Sequence, residues 1–299
     1  MSLFASEPSR ILKEPKWLMP LSDPPGGKPV CRDAYLKQMA RYLADFFTTC
    51  RARNLFIYGP PGIGKTICAK HVLAEAAKHA SETNIQAKTV YVNAGKTRNP
   101  YYTMTEIIKQ LGINVPEAGW QMFRLKQTFE HVLTENAVLI AIDEVNSIIL
   151  KEKEPLVYYL SRQPKTTLIL ISNNIDDITK LPERTLSTLQ PILIYTEPYT
   201  ATEIQHILKQ RAEHAFKPNT ITDQMLTMIA NTASQTGDTR FSFQVLLTAA
   251  QVAEKTGKQT IEPCDVASAL EQENAFRKIK EYETLKHKLL KLKKEHEKN

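Results

Sequence analysis

The 299-residue sequence has only four cysteines, Cys31, Cys50, Cys68 and Cys264, and none has a C-x-x-C partner. That scatter excludes both a cysteine zinc site and a disulfide framework, and it fits a reducing compartment, the cytoplasm or nucleoid. No apolar run approaches the ~20 residues that a bilayer span requires. The N-terminus MSLFASEPSR lacks the basic-then-apolar pattern of a secretion signal. Internal repeats and low-complexity tracts are also missing. Membrane and small secreted classes are thereby set aside. At roughly 150 residues per domain, about two domains are expected.

Acidic charge is in short supply. The net charge is +7 and the isoelectric point about 9.1, which favours an acidic partner, nucleic acid above all. Residues 273–299 hold nine Lys/Arg against five Glu, which puts +4 in this tail and +3 in the remainder. The tail reads equally as a DNA-contacting arm or as a solvated helix.

Residues 1–28 are rich in proline and read as an irregular segment. From there to Glu197, short apolar runs (NLFIYG, TVYVNA, AVLIAIDE, TTLILISN, ILIYTEPY) alternate with helical patterns. This alternation predicts an α/β domain over 29–197, with a doubly wound, five-stranded parallel sheet. After Pro198 the strands stop. Four amphipathic helices over 198–272 predict a small all-α domain, and 273–299 a basic amphipathic helical tail.

Residues 59–66 read GPPGIGKT, a complete G-x-x-x-x-G-K-T between a predicted strand and a predicted helix. Gly59, Pro60, Pro61, Gly62, Ile63 and Gly64 would form a loop whose glycines let the N–H groups of its non-proline residues point inward as a nest. The helix start at Lys65, Thr66 and Ile67 adds its dipole, so the site fits the phosphates of ATP or ADP. Lys65 is expected to reach the β- and γ-phosphates, and Thr66 to offer its hydroxyl to Mg²⁺. The apolar strand VLIAI ends in Asp143 and Glu144, the first suited to hold magnesium through water and the second to act as general base. Asn173, ending the next strand, is suited to orient water. Arg184 in LPER is a candidate arginine finger, and Arg240 in GDTR a candidate γ-phosphate sensor on the first turn of a helix capped by Asp238. Taken singly, a strand-ending asparagine is as often a turn former and a surface arginine as often merely solvated.

The order P-loop, DE, strand-ending Asn, LPER, GDTR and a final helical domain resembles the AAA+ ATPases. The stretches PVCRD, VNAGKTRNPYYTMTEIIKQLG, LPERTLSTL, EPYTATEIQHILKQRAEHAF and TGDTRFSFQVLLTAAQVAE resemble, more narrowly, the archaeal and eukaryotic initiators of the origin-recognition-complex and cell-division-cycle-six family. The resemblance covers about Phe4 to Gln272. It implies a nucleotide-switched initiator ATPase with slow turnover, adenine near Pro29, Val30 and Arg32, and a candidate DNA contact in the helical insertion around Lys96–Tyr102. It also implies DNA, other initiator or helicase subunits, and ATP-dependent oligomers as partners. Two rival readings stand beside it: a remodelling or clamp-loader-like subunit acting on protein clients, and a non-hydrolysing module stabilised by nucleotide.

Three features depart from the family pattern. Asn146 stands in DEVN where an acid is usual, and Ile63 stands where Thr is common. About 27 residues follow Gln272, too few for the winged helix by which such proteins usually read duplex DNA. The expectation is therefore either one part of a longer protein or a short form that relies on the insertion and the basic tail. In that tail Phe276, Ile279, Tyr282, Leu285, Leu289 and Leu292 fall at helical spacing.

Overall fold

The computed structural model describes residues 8–20, 22–116, 120–149, 156–235 and 237–278. It divides into two compact units, one of Gly27–Pro198 and one of Met1–Gly26 with Tyr199–Asn299.

The first unit opens with α1 (Asp33–Leu43) and α2 (Phe46–Thr49), then β1 (Leu55–Tyr58), α3 (Lys65–Glu82) and β2 (Ala87–Asn93). Next come α4 (Ala94–Thr97), α5 (Pro100–Gln110), α6 (Met122–Glu135), β3 (Ala137–Asp143) and α7 (Leu156–Ser161). β4 (Thr166–Ile171), α8 (Asp176–Thr179), α9 (Glu183–Leu189) and β5 (Ile192–Tyr195) complete it. All strand pairs are parallel, in the order β2-β3-β4-β1-β5, as the alternation of elements predicts.

β3 explains why the sheet needs cover on both faces. All seven of its residues are buried, because a parallel strand inside such a sheet meets helices above and below. Val138, Ile140 and Ile142 pack with Met104, Ile107, Phe129 and Leu160 on one side, while Leu139 and Ala141 pack with Met39, Leu43, Ala69 and Leu73 on the other. Register brings Asn93 opposite Asp143 at the carboxyl end of the sheet.

The second unit is helical: α10 (Ala201–Ala215), α11 (Asp223–Ser234), α12 (Thr239–Lys255) and α13 over 263–278. α10 starts with a capping box in which the Thr200 side chain accepts from Glu203 N and the Glu203 side chain accepts from Thr200 N. α13 runs unbroken through position 273; Ile279, Tyr282, Leu285, Leu289 and Leu292 lie outside the described residues.

The proline-rich N-terminal segment belongs to this unit. Leu12 forms an antiparallel bridge with Phe216, and the Lys13 N–H donates to Ala215 O at 2.8 Å. Ile11 and Leu18 are fully buried. Arg211 on α10, itself buried, donates to the carbonyls of Trp17 (2.9 Å) and Ser22 (2.9 Å), with its guanidinium 4.7 Å from the Phe243 ring. On α12, Glu254 accepts from the Ser9 hydroxyl and from Ile11 N at 3.0 Å.

Candidate nucleotide site

The loop after β1 is shaped by its glycines. Gly59 has φ 147°, and a Cβ there would lie 2.5 Å from Thr196 O, so only glycine lets the loop pass this close to the end of β5. Gly64, at φ 90°, turns the chain into α3, whose start has no side-chain cap and so leaves first-turn N–H groups for a ligand. Ile63 is buried, and its carbonyl accepts from Arg32 at 2.9 Å.

Lys65 is buried. Its ammonium donates to Gly59 O (2.7 Å), Pro60 O (2.6 Å) and Asn173 Oδ1 (3.0 Å). Thr66 Oγ1 donates to Asp143 Oδ2 at 2.6 Å. Tyr91 OH donates to the same oxygen at 2.8 Å, and the Glu144 N–H to Asp143 Oδ1 at 2.9 Å. Asp143 is buried, while Glu144 is exposed, with a left-handed backbone (φ 51°) that turns its side chain out of the strand direction. There Asn93 Nδ2 donates to Glu144 Oε1 at 3.3 Å. Burial, then the charge and acceptor of Asp143, raise the Tyr91 phenol and keep it a donor. Burial pushes the Cys68 thiol of α3 up to about 12.

The structure thus brings together five residues singled out in the sequence, Lys65, Thr66, Asp143, Glu144 and Asn173, at one end of the sheet. Arg32 is buried in the same unit and bonded to backbone, to Ile63 O and to Glu197 O at 2.7 Å; Pro29 is buried and Val30 half-buried just before it. Arg184 is exposed on α9, its guanidinium 5.0 Å from the Tyr158 ring of α7. Arg240 is exposed on the first turn of α12 in the helical unit, and Asp238 accepts its N–H at 2.9 Å, the cap the sequence predicts. Tyr91, Asn93 and Gly95 were not singled out from the sequence. Asn93 carries a weak signal, being a good cap residue between an apolar strand and α4, where it accepts from Lys96 N at 3.0 Å.

The groups present fit a nucleotide and its metal. A buried ammonium, a glycine-shaped loop and an uncapped helix start suit a phosphate chain. A hydroxyl and a carboxylate hydrogen-bonded to one another suit a hard divalent cation such as Mg²⁺.

Comparison with known proteins agrees with this geometry. Residues 49–208 match the AAA domain and residues 205–271 the Cdc6 AAA+ ATPase-type lid domain. An ORC1-type DNA replication protein of Pyrococcus horikoshii is 29% identical over 256 residues, which cover 81% of this chain and 61% of that protein. ORC1-type DNA replication protein 1 of Sulfurisphaera tokodaii is 31% identical over 242 residues, 77% of this chain and 60% of its own length. The Aeropyrum pernix ORC1 protein, solved in complex with DNA, superposes with a TM-score of 0.77 at 27% identity, covering 89% of this chain and 71% of that one. The chain spans about three-fifths of the length of the curated relatives it matches. Among its described residues no helix is long and apolar enough to cross a membrane. With an AAA domain over more than half its length and a Cdc6-type lid following, the chain belongs to the AAA+ family, in its origin-recognition-complex and cell-division-cycle-six branch.

Proposed function

We propose that this chain binds ATP with magnesium, hydrolyses it slowly to ADP and phosphate, and uses its nucleotide state to control contact with DNA in replication initiation. One observation carries the reading: Lys65, Thr66, Asp143 and Asn173 converge within hydrogen-bonding distance at one end of the sheet. Phosphate oxygens take over Lys65 from the Gly59 and Pro60 carbonyls, and meet the N–H groups of Gly62, Gly64, Thr66 and Ile67. Thr66 and Asp143 would hold the metal, which would supply positive charge to offset that of the phosphates. Glu144 takes a proton from the attacking water while the water oxygen bonds to the γ-phosphorus. The bond to the ADP oxygen breaks, and ADP leaves with the electron pair. The Asn173 amide orients that water.

Pro29 and Val30 flank the adenine, with Arg32 acting on the loop backbone. The exposed guanidinium of Arg184 serves the γ-phosphate of a neighbouring copy in an ATP-dependent oligomer, and Arg240 senses γ-phosphate from the lid. DNA as a partner is supported by the relative solved with DNA and by the exposure of Lys96, Arg98 and Tyr102 on the predicted insertion. Contacts of this kind go mainly to phosphates, so affinity falls steeply with salt. Other initiator or helicase subunits in the cytoplasm or nucleoid complete the proposed setting.

The test is binding of the full chain to fluorescent duplex DNA with ATP, with ADP and with neither, across a salt series. Nucleotide-dependent binding that weakens steeply with salt is expected. ATP turnover without DNA binding under any condition would sink the DNA half of the reading. DNA binding without turnover would sink the hydrolytic half.

A further inference from the structure

We infer that Tyr91 is a positioning residue for the magnesium-holding carboxylate of Asp143, and that Gln110 on α5 seats it; this rests on the nucleotide reading above. β2 is an edge strand, so its outer backbone groups have no neighbouring strand. At Tyr91 the Gln110 side chain supplies both missing partners. Its Oε1 accepts from Tyr91 N at 3.1 Å, and its Nε2 donates to Tyr91 O at 2.8 Å. Gln110 is in turn held by Glu106, one turn back on α5, at 2.7 Å. Residue 91 is thereby fixed in height and rotation on the strand.

The phenol is carried on the sheet face that packs against α3, and the residue paired with it in register on β3 is the small Ala141. From there Lys70 of α3 lies over the ring at 5.2 Å, and the hydroxyl reaches Asp143 Oδ2 at 2.8 Å.

An ionised carboxylate has about four acceptor sites. At Asp143 three are filled, two on Oδ2 by Thr66 and Tyr91 and one on Oδ1 by the Glu144 N–H. The site left over is on Oδ1. These three donors together fix the direction in which it can face a metal-bound water. Asp143 is only 4% exposed, so solvent does not readily replace the phenol. Without it the carboxylate keeps one donor on each oxygen, Oδ2 is held by Thr66 alone, and its orientation toward the metal is less closely fixed.

The test uses the full chain with Mn²⁺ as the spectroscopic probe, its uptake followed by electron paramagnetic resonance in the presence of ADP. ADP affinity is measured separately in excess EDTA. Tyr91→Phe keeps the ring and removes only the hydroxyl. It is expected to raise the Mn²⁺ half-saturation about tenfold while leaving ADP affinity in EDTA unchanged. Gln110→Ala, which frees the strand edge without touching the carboxylate, shifts Mn²⁺ uptake in the same direction by less, and carries the test alone should Tyr91→Phe not fold. Equal Mn²⁺ uptake by variant and parent, with ADP still bound in EDTA, overturns the role of Tyr91 and leaves the nucleotide reading standing. A parent chain that binds no ADP overturns both.

Discussion

The carboxylate of Glu144 lies in the space that a side chain at position 95 would fill. A Cβ on Gly95 would stand 1.8 Å from Glu144 Oε2 and 2.7 Å from its Cδ. Gly95 is thus required by the room it leaves. The atoms in the way are the far end of a flexible side chain, so Gly95→Ala should fold, and alanine favours the short helix α4. Its effect falls on the carboxylate proposed above as the general base. Gly95→Ala is expected to lower ATP turnover in the same direction as Glu144→Gln, for which about a hundredfold loss is expected, with ATP binding retained and the melting temperature not reduced. Turnover equal to the parent's in Gly95→Ala would show that Glu144 works from another position.

Arg32 ties the middle of the P-loop to the end of the sheet through Ile63 O and Glu197 O. Hydrogen bonds from a charged donor contribute about 1.5–3 kcal/mol each, and a buried carbonyl left bare costs about as much. Arg32→Ala should therefore destabilise the α/β unit by about 3 kcal/mol and weaken nucleotide binding, with Arg32→Lys recovering part of the stability. Urea unfolding followed by Trp120 fluorescence in a Trp17→Phe background, together with ADP titration, measures both.

The attachment of the N-terminal segment should depend on pH. Burial raises the Glu254 carboxyl, but the Ser9 hydroxyl, the Ile11 and Arg10 N–H groups and the charge of Lys217 outweigh it and leave it below its ordinary value of 4.5. A carboxyl lowered on folding stabilises the folded state above its unfolded value, and that contribution is lost as pH falls through the folded value. Limited proteolysis within residues 8–26 should accelerate as pH is taken below 4.5. In Glu254→Gln the same cleavage should be faster at neutral pH and respond little to acid.

The cysteines should react unequally. The Cys68 thiol is buried and pushed up to about 12, whereas Cys264 is exposed. Iodoacetamide at pH 8 should label Cys264 and spare Cys68 until the chain is unfolded, read by peptide mass spectrometry. Labelling of Cys68 in the native chain at the rate of Cys264 would contradict the packing of α3 against the sheet.

What the sequence discloses of this site is what local spacing determines. GPPGIGKT carries its glycines where the turn needs them, and VLIAI followed by Asp143 and Glu144, downstream of that loop, reads as a strand that delivers carboxylates to its own end. Tyr91 and Gln110 are nineteen residues apart and belong to a strand and a helix, so their pairing depends on where α5 packs. In sequence Tyr91 is one apolar residue of TVYVNA. Only the register of β2 against β3 turns it toward Asp143. Gly95 is invisible for the same reason, since its role is defined by a side chain 49 positions away. Arg211 falls among the polar positions of EIQHILKQRAEHA, yet it is buried, because a segment from the other end of the chain packs across it.

That segment has a consequence for synthesis on the ribosome. Residues 8–26 are translated before Gly27–Pro198, but Arg211, Ala215, Phe216 and Glu254, which receive them, only after it. Domains fold as units while the chain is still growing. The continuous α/β unit is therefore finished before the helical unit that contains the N-terminus. Ile11, Leu12 and Leu18 wait through the translation of a whole domain for their burial. Nascent chains lined up on one message each carry such a waiting segment. Exchange of residues 8–26 between neighbouring copies is the assembly error this threading invites.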